Sequence, residues 1–79
     1  MQASLEDIKG ISAEIFQTVD VHKIEEDLSF SEAGLDSLDA FTLLMKVEEK
    51  YGFSIPEKDV NQIKTFKDLI EYSNNKLTK

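Results

Sequence analysis

The sequence predicts a small all-α protein. Apolar residues recur at steps of three and four positions in several segments, and no segment alternates apolar and polar residues for long enough to be a strand. With 41% hydrophobic and 32% charged residues, the chain has the composition of a folded domain rather than of a disordered tail. Its 79 residues leave room for one small core, so we expect a single domain over residues 1–79.

The first helix is expected over residues 4–18. Ser4, followed by Asp7 three positions later, forms a variant of the capping box that begins a helix. The apolar positions that follow the helical period are Leu5, Ile8, Ile11, Ile15, Phe16 and Val19. The period is then lost, and we predict a long loop over residues 20–36 that apolar side chains hold against the core. A loop of this length in a compact domain usually has a function.

The second helix is expected over residues 37–51 and at the centre of the bundle. Gly34 permits a sharp turn before it, Asp36 or Ser37 can cap it, and Gly52 suits the position just after its end. Apolar residues cover more than half of its circumference: Phe41, Leu43, Leu44, Met45, Val47 and Tyr51. The remaining polar stripe consists of Asp39, Thr42, Lys46 and Glu49.

Two further helices complete the predicted bundle. Pro56 is well placed to begin a brief helix over Glu57–Asn61. Thr65 caps a last helix over residues 66–76, with Asp68 at its third position. One face of this helix carries Phe66, Leu69, Ile70, Ser73 and Leu77.

Charge and composition argue against several function classes. Sixteen acidic residues and nine lysines give a net charge of −7, which repels nucleic-acid phosphates and anionic lipid surfaces. The net charge is −9 over residues 1–57 and +2 over residues 58–79, so we expect basic protein partners. The absence of Cys excludes disulfides and thiolate metal sites. No membrane span or signal peptide is evident, so we expect a cytoplasmic protein.

Enzymatic and metal sites are not expected either. His22 is the sole imidazole, and no partner is positioned beside it for acid-base or nucleophilic catalysis. A calcium loop that begins at Asp27 would have Glu32 where Gly is needed and Leu38 where a bidentate Glu is needed. A non-catalytic acidic helical adaptor or a weak cation binder stays open as an alternative.

Ser37 stands out because it combines a helix start, a preceding Gly turn and two neighbouring carboxylates. Taken alone, this setting is that of an ordinary helix cap. The surrounding segments are Gly34-Leu35-Asp36-Ser37-Leu38-Asp39, the stretch from Val47 to Pro56 that includes Glu48-Glu49 and Ile55-Pro56, and Thr65-Phe66-Lys67-Asp68-Leu69. In this order, the series closely resembles the acyl carrier protein family over residues 30–72.

The resemblance implies a four-helix bundle with three longer helices and a short third one. It implies a free-standing monomeric carrier without catalysis, which bears 4′-phosphopantetheine as a phosphodiester on Ser37. A separate phosphopantetheinyl transferase would add that arm, using coenzyme A and magnesium. Asp36 matches the acid that precedes the serine in the family and can help to hold the magnesium of the transferase. Other partners would be acyl-transferring, synthase or ligase enzymes with basic patches.

The resemblance also assigns a docking edge on the second helix: Leu38, Asp39, Met45 and Glu49. Phe41 lies on the same edge and is interpreted mainly as a core residue. Thr42, Lys46 and Lys50 stand where fatty-acid-synthesis members usually have an acid, a small residue and an acid. These differences favour a carrier for a dedicated biosynthetic pathway over the general carrier of fatty acid synthesis. An aminoacyl, peptidyl or polyketide carrier is the alternative within the family.

Overall fold

The computed structural model describes residues 2–17 and 19–77, and over these residues the chain is helical without a named strand. Its four α-helices are α1 (Leu5–Ile15), α2 (Ser37–Tyr51), α3 (Glu57–Val60) and α4 (Phe66–Leu77). The predicted fold class, with three longer helices and a short third one, is confirmed. None of the helices in the described part is long and apolar enough to cross a membrane.

Helix α1 ends earlier than the sequence predicts. The Phe16 N–H still donates to the Ser12 carbonyl at 2.8 Å, but φ −110° and ψ 74° at Phe16 leave the helical region. The Phe16 side chain is buried, so the helix ends where the chain turns to place this ring in the core. Thr18, the predicted last helical residue, lies outside the described residues.

The core lies between α1, α2 and α4. Its least exposed apolar side chains are Ile8, Val21, Leu43, Leu44, Val47, Phe66 and Leu69. Helix α2 packs against both α1 and α4, but its predicted apolar circumference is not buried all round, because Phe41 and Met45 are exposed. The interpretation of Phe41 as mainly a core residue is wrong, because its side chain is 47% exposed. The packed faces of α2 lie against α1 and α4, and the four-residue α3 is too short to cover the edge that holds Phe41.

The long loop before α2 is fixed to the bundle by backbone bonds as well as by side chains. Val21, Ile24 and Phe30 are buried, as the loop prediction requires. The Phe30 N–H donates to the Lys64 carbonyl at 2.8 Å, and the Lys67 N–H donates to the Glu26 carbonyl at 2.9 Å. These bonds hold the loop beside the segment that precedes α4 and beside the first turn of α4.

A short 3₁₀ turn over Val21–Lys23 interrupts the segment that the sequence predicts as plain loop. The Lys9 ammonium of α1 donates to the His22 carbonyl at 3.2 Å and to the Ile24 carbonyl at 2.5 Å. The turn is thus attached to α1 by a charged donor, a contact between distant positions that periodicity does not reveal.

Candidate functional site

The site begins at the turn that leads into α2. Gly34 has φ +93°, a left-handed conformation that glycine adopts without a steric penalty. The next residue, Leu35, is buried, and its N–H donates to the Phe30 carbonyl at 2.9 Å. The turn is therefore held at one fixed point in the core, and the residues after it start α2 in a defined direction.

Asp36 caps α2, which decides between the two predicted caps. The Asp39 N–H donates to Asp36 Oδ1 at 2.8 Å, and the Asp36 N–H donates to Asp39 Oδ2 at 3.3 Å. This reciprocal capping box satisfies two of the four N–H groups that begin a helix. The N–H groups of Ser37 and Leu38 precede the first residue that can pair within the helix, so they remain available at the positive end of the helix dipole.

Ser37 is the first residue of α2 and is exposed to solvent. Its hydroxyl makes no hydrogen bond within residues 2–17 and 19–77, because Asp36 performs the capping. Within the part of the chain that the structure describes, no imidazole or amine forms a hydrogen bond with this hydroxyl to activate it as a nucleophile. The residues present therefore fit an anionic group attached to this oxygen, since the nearby N–H groups and the helix dipole stabilise negative charge. They do not supply a means of attaching it.

A groove of about 380 Å³ opens beside Ser37, between the start of α2 and the residues around α3. Its apolar lining includes Phe30, Leu44, Val60 and Ile63. Its polar lining includes Ser31, Asn61 and Lys64. This groove is not evident from the sequence, because loop, helix and linker residues form it only after they fold together. In the sequence, the apolar residues Val60 and Ile63 were the feature that indicated an apolar surface here.

The exposed edge of α2 leads away from Ser37 and carries three large apolar side chains. Leu38 is 71% exposed, Met45 is 50% exposed, and Phe41 joins them. The structure thus brings together the two apolar residues of the predicted docking edge and adds one that the sequence analysis assigned to the core.

The two acids of the predicted docking edge are both engaged. The Asp39 carboxylate belongs to the capping box, and Glu49 Oε2 lies 3.6 Å from Lys46 Nζ in an exposed ion pair. Thr42 adds no charge, and its hydroxyl donates to the Leu38 carbonyl at 3.0 Å. The edge therefore presents more apolar surface and less free negative charge than its acid content suggests.

A tyrosine of α4 holds the short helix α3. Tyr72 Oη donates to Asp59 Oδ2 at 2.7 Å. Partial burial, the hydrogen bond to Asp59 and the negative charge of that carboxylate raise the pKa of Tyr72 to about 12. The bond fixes α3, whose Val60 lines the groove beside Ser37.

A family model and two known proteins each match most of this chain. A family model described as the phosphopantetheine attachment site matches residues 6–73. The chain is 38% identical over 74 residues to an acyl carrier protein of Thermosynechococcus vestitus, covering 92% of this chain and 90% of the relative. It is 41% identical over 68 residues to an acyl carrier protein of Chlamydia caviae, covering 85% and 87%.

Solved structures of similar shape also cover nearly the whole chain. The hexanoyl acyl carrier protein of the actinorhodin polyketide synthase from Streptomyces coelicolor has a TM-score of 0.85 at 25% identity, with 99% of this chain and 94% of that one covered. The oxytetracycline acyl carrier protein has a TM-score of 0.84 at 26% identity, with 99% and 85% covered.

Proposed function

The chain belongs to the acyl carrier protein family, and from this premise we propose that Ser37 is the residue that carries the 4′-phosphopantetheine arm. Proteins of this family are carriers rather than enzymes, and phosphopantetheine is their cofactor. When bound, the arm supplies a thiol that holds an acyl group as a thioester. The observation that carries the proposal is the exposed hydroxyl of Ser37 at the first residue of α2, which makes no hydrogen bond to any residue that the structure describes.

The capping geometry supports Ser37 because it leaves the hydroxyl free. If Ser37 capped the helix, its oxygen would accept a hydrogen bond from the backbone. Attaching the arm to that oxygen would then disrupt the cap. Asp36 takes that role through Oδ1. Its second oxygen, Oδ2, makes no hydrogen bond within the described residues, so the carboxylate can still contribute to the magnesium site of a phosphopantetheinyl transferase.

The experiment is mass spectrometry of the intact protein after incubation with coenzyme A, magnesium and a broad-specificity phosphopantetheinyl transferase. We expect the mass of one phosphopantetheine to be added to the wild type and nothing to be added to Ser37→Ala. Ser31→Ala is the matched control, because this exposed serine lines the same groove and should not affect the modification.

Two outcomes would contradict the proposal. One is an unchanged wild-type mass under conditions that fully modify another carrier. The other is a modified Ser37→Ala protein, which would assign the arm to a different hydroxyl.

We further propose that partner enzymes dock on the edge of α2 formed by Leu38, Asp39, Met45 and Glu49. These partners are the transferase and the acyl-transferring, synthase or ligase enzymes of one pathway. The ion pair between Lys46 and Glu49 supports a dedicated carrier, because it leaves less uncompensated negative charge on this edge for a strongly basic patch. A polyketide pathway is the second candidate, and the likeness to the carrier of the actinorhodin polyketide synthase favours it.

A further inference from the structure

Lys64 lies on the lining of the groove beside Ser37, and its backbone is held on both sides. Its carbonyl accepts the Phe30 N–H at 2.8 Å, and its N–H donates to Asp68 Oδ2 at 3.1 Å. The first bond joins it to the loop before α2, and the second joins it to the first turn of α4. The Lys64 side chain therefore starts from a fixed point at the groove, although it is itself exposed.

The charge of Lys64 has no partner in the described chain. Its ammonium forms no ion pair within residues 2–17 and 19–77, and it is the one cation that lines the groove. The other charged lining residue is Asp36, whose carboxylate caps α2. Among the described residues, Lys64 thus brings a positive charge without an ion pair to the lining of a groove whose apolar residues include Leu44, Val60 and Ile63.

A molecule with an apolar stem and an anionic end complements both features. Methylene groups are stabilised against the apolar lining by removal from water. A carboxylate at the far end gains a charge-assisted contact with the ammonium, and at an exposed site such a contact shifts an equilibrium by up to about fivefold. An acyl chain that ends in a methyl group gains only the first of these contributions.

We infer that this groove selects acyl cargo that ends in a carboxylate, with Lys64 as the residue that recognises it. The inference rests on the proposed function, because cargo reaches the groove only when Ser37 carries the arm. The phosphodiester of the arm is a second anion that can pair with the Lys64 ammonium. The experiment distinguishes this phosphodiester from the carboxylate of the cargo.

The test compares two cargoes of equal length that differ in charge. The modified protein is loaded with ¹³C-labelled succinyl or butyryl groups through a stable amide analogue, and NMR measures the fraction of each in the groove. We expect succinyl to give contacts between the methylene beside its carboxylate and the Lys64 side chain, with amide shifts at Asn61 and Lys64. The preference over butyryl should be about two- to fivefold and should shrink in about 0.5 M salt.

Variants identify the residue responsible. Lys64→Gln should remove the preference for succinyl over butyryl, and Lys64→Arg should restore it. Lys67→Gln is the matched control, because Lys67 is an exposed lysine three positions away that does not line the groove. This control should keep the wild-type preference.

Three outcomes would overturn the inference. The first is equal occupancy by the two cargoes, and the second is a preference that survives Lys64→Gln. The third is a shift at Lys64 that is complete in the protein with the arm but without cargo, which would identify the phosphodiester as its partner. Failure of the proposed function is distinguishable, because the mass spectrum of the protein would then show no arm on Ser37 before any cargo is loaded.

Discussion

Asp36 and Asp39 cap each other at the start of α2, with the Asp39 N–H 2.8 Å from Asp36 Oδ1 and the Asp36 N–H 3.3 Å from Asp39 Oδ2. Ser37 lies between these two residues and takes no part in the exchange. The helix start is therefore stabilised without the hydroxyl that we propose as the attachment point. This separation of capping from attachment allows the two roles to be tested independently.

The first prediction concerns Asp36. Asp36→Ala removes the side-chain acceptor and should lower the free energy of unfolding by about 1 kcal/mol, whereas Asp36→Asn keeps an acceptor and should cost only a few tenths. Urea denaturation measures both values. If the carboxylate also serves the magnesium of the transferase, both variants should be modified more slowly. Equal stability of Asp36→Ala and wild type would show that the cap contributes nothing.

The second prediction concerns the bond between Tyr72 and Asp59. The folded state raises the pKa of Tyr72 from its ordinary value of 10.0 to about 12, so it favours the protonated phenol. The resulting stabilisation is complete below pH 10.0 and is lost as the pH rises through about 12. Urea denaturation over this range should show the advantage of wild type over Tyr72→Phe decreasing with pH.

Ultraviolet titration of tyrosinate provides the direct measurement for Tyr72. Asp59→Asn removes the neighbouring charge and should lower the pKa of Tyr72 toward the ordinary value. Tyr51, whose pKa burial also raises, is unchanged in these variants and serves as an internal reference. An identical titration of wild type and Asp59→Asn would contradict the assigned cause.

The third prediction concerns Lys9, which holds the 3₁₀ turn through the carbonyls of His22 and Ile24. Lys9→Met keeps most of the stem but loses these charged bonds, so it should lower the free energy of unfolding by about 1–2 kcal/mol. Lys23→Met is the control, because the ion pair of Lys23 with Asp20 is exposed at 3.8 Å and should contribute about 0–1 kcal/mol. Equal losses in the two variants would mean that the bonds of Lys9 are no stronger than a surface pair.

The fourth prediction concerns repulsion among the acids between residues 20 and 39. These are Asp20, Glu25, Glu26, Asp27, Glu32, Asp36 and Asp39, and Lys23 is the one cation among them in the sequence. Added salt or millimolar magnesium should raise the melting temperature, because screening reduces self-repulsion. Thermal unfolding followed by circular dichroism measures the change. No response in either titration would mean that these carboxylates lie too far apart to repel appreciably.

Local patterns were sufficient to predict the four α-helices and the bounds of α2, but not the end of α1. The bounds of α2 follow from an acidic cap before it and Gly52 after it, and Gly52 has φ +76° in the structure. Thr65 caps α4 as predicted by accepting from the Asp68 N–H at 3.0 Å. Each of these signals acts within about one turn of helix, which is why a single sequence reveals them.

Features that depend on contacts between distant segments could not be predicted in this way. The exposure of Phe41 depends on how little of α2 the short α3 covers. The groove depends on Phe30 bonding to Lys64 across 34 positions of the chain. Periodicity identifies the residues that can be buried, whereas tertiary packing decides which of them are.

The last prediction concerns the partner enzymes. The polar stripe of Asp39, Thr42, Lys46 and Glu49 has a formal charge of −1. The ion pair at 3.6 Å further reduces the charge that Glu49 can offer to a partner. The double variant Thr42→Glu/Lys46→Ala lowers the stripe to −3 and releases Glu49.

Each exposed charge pair contributes up to about 1 kcal/mol, so two added charges should strengthen docking to a strongly basic patch by about tenfold or more. Elongation kinetics with generic fatty acid synthase enzymes should therefore show a higher kcat/KM for the double variant than for wild type.

Leu38→Ala and Met45→Ala should weaken docking of the native partner more than Glu49→Gln does, because these apolar side chains are exposed and Glu49 is paired. If wild type already supports full activity with the generic enzymes and the double variant adds nothing, the dedicated-carrier proposal is wrong. The weakly charged edge would then be compatible with general fatty acid synthesis, and the apolar contacts alone would have to account for docking.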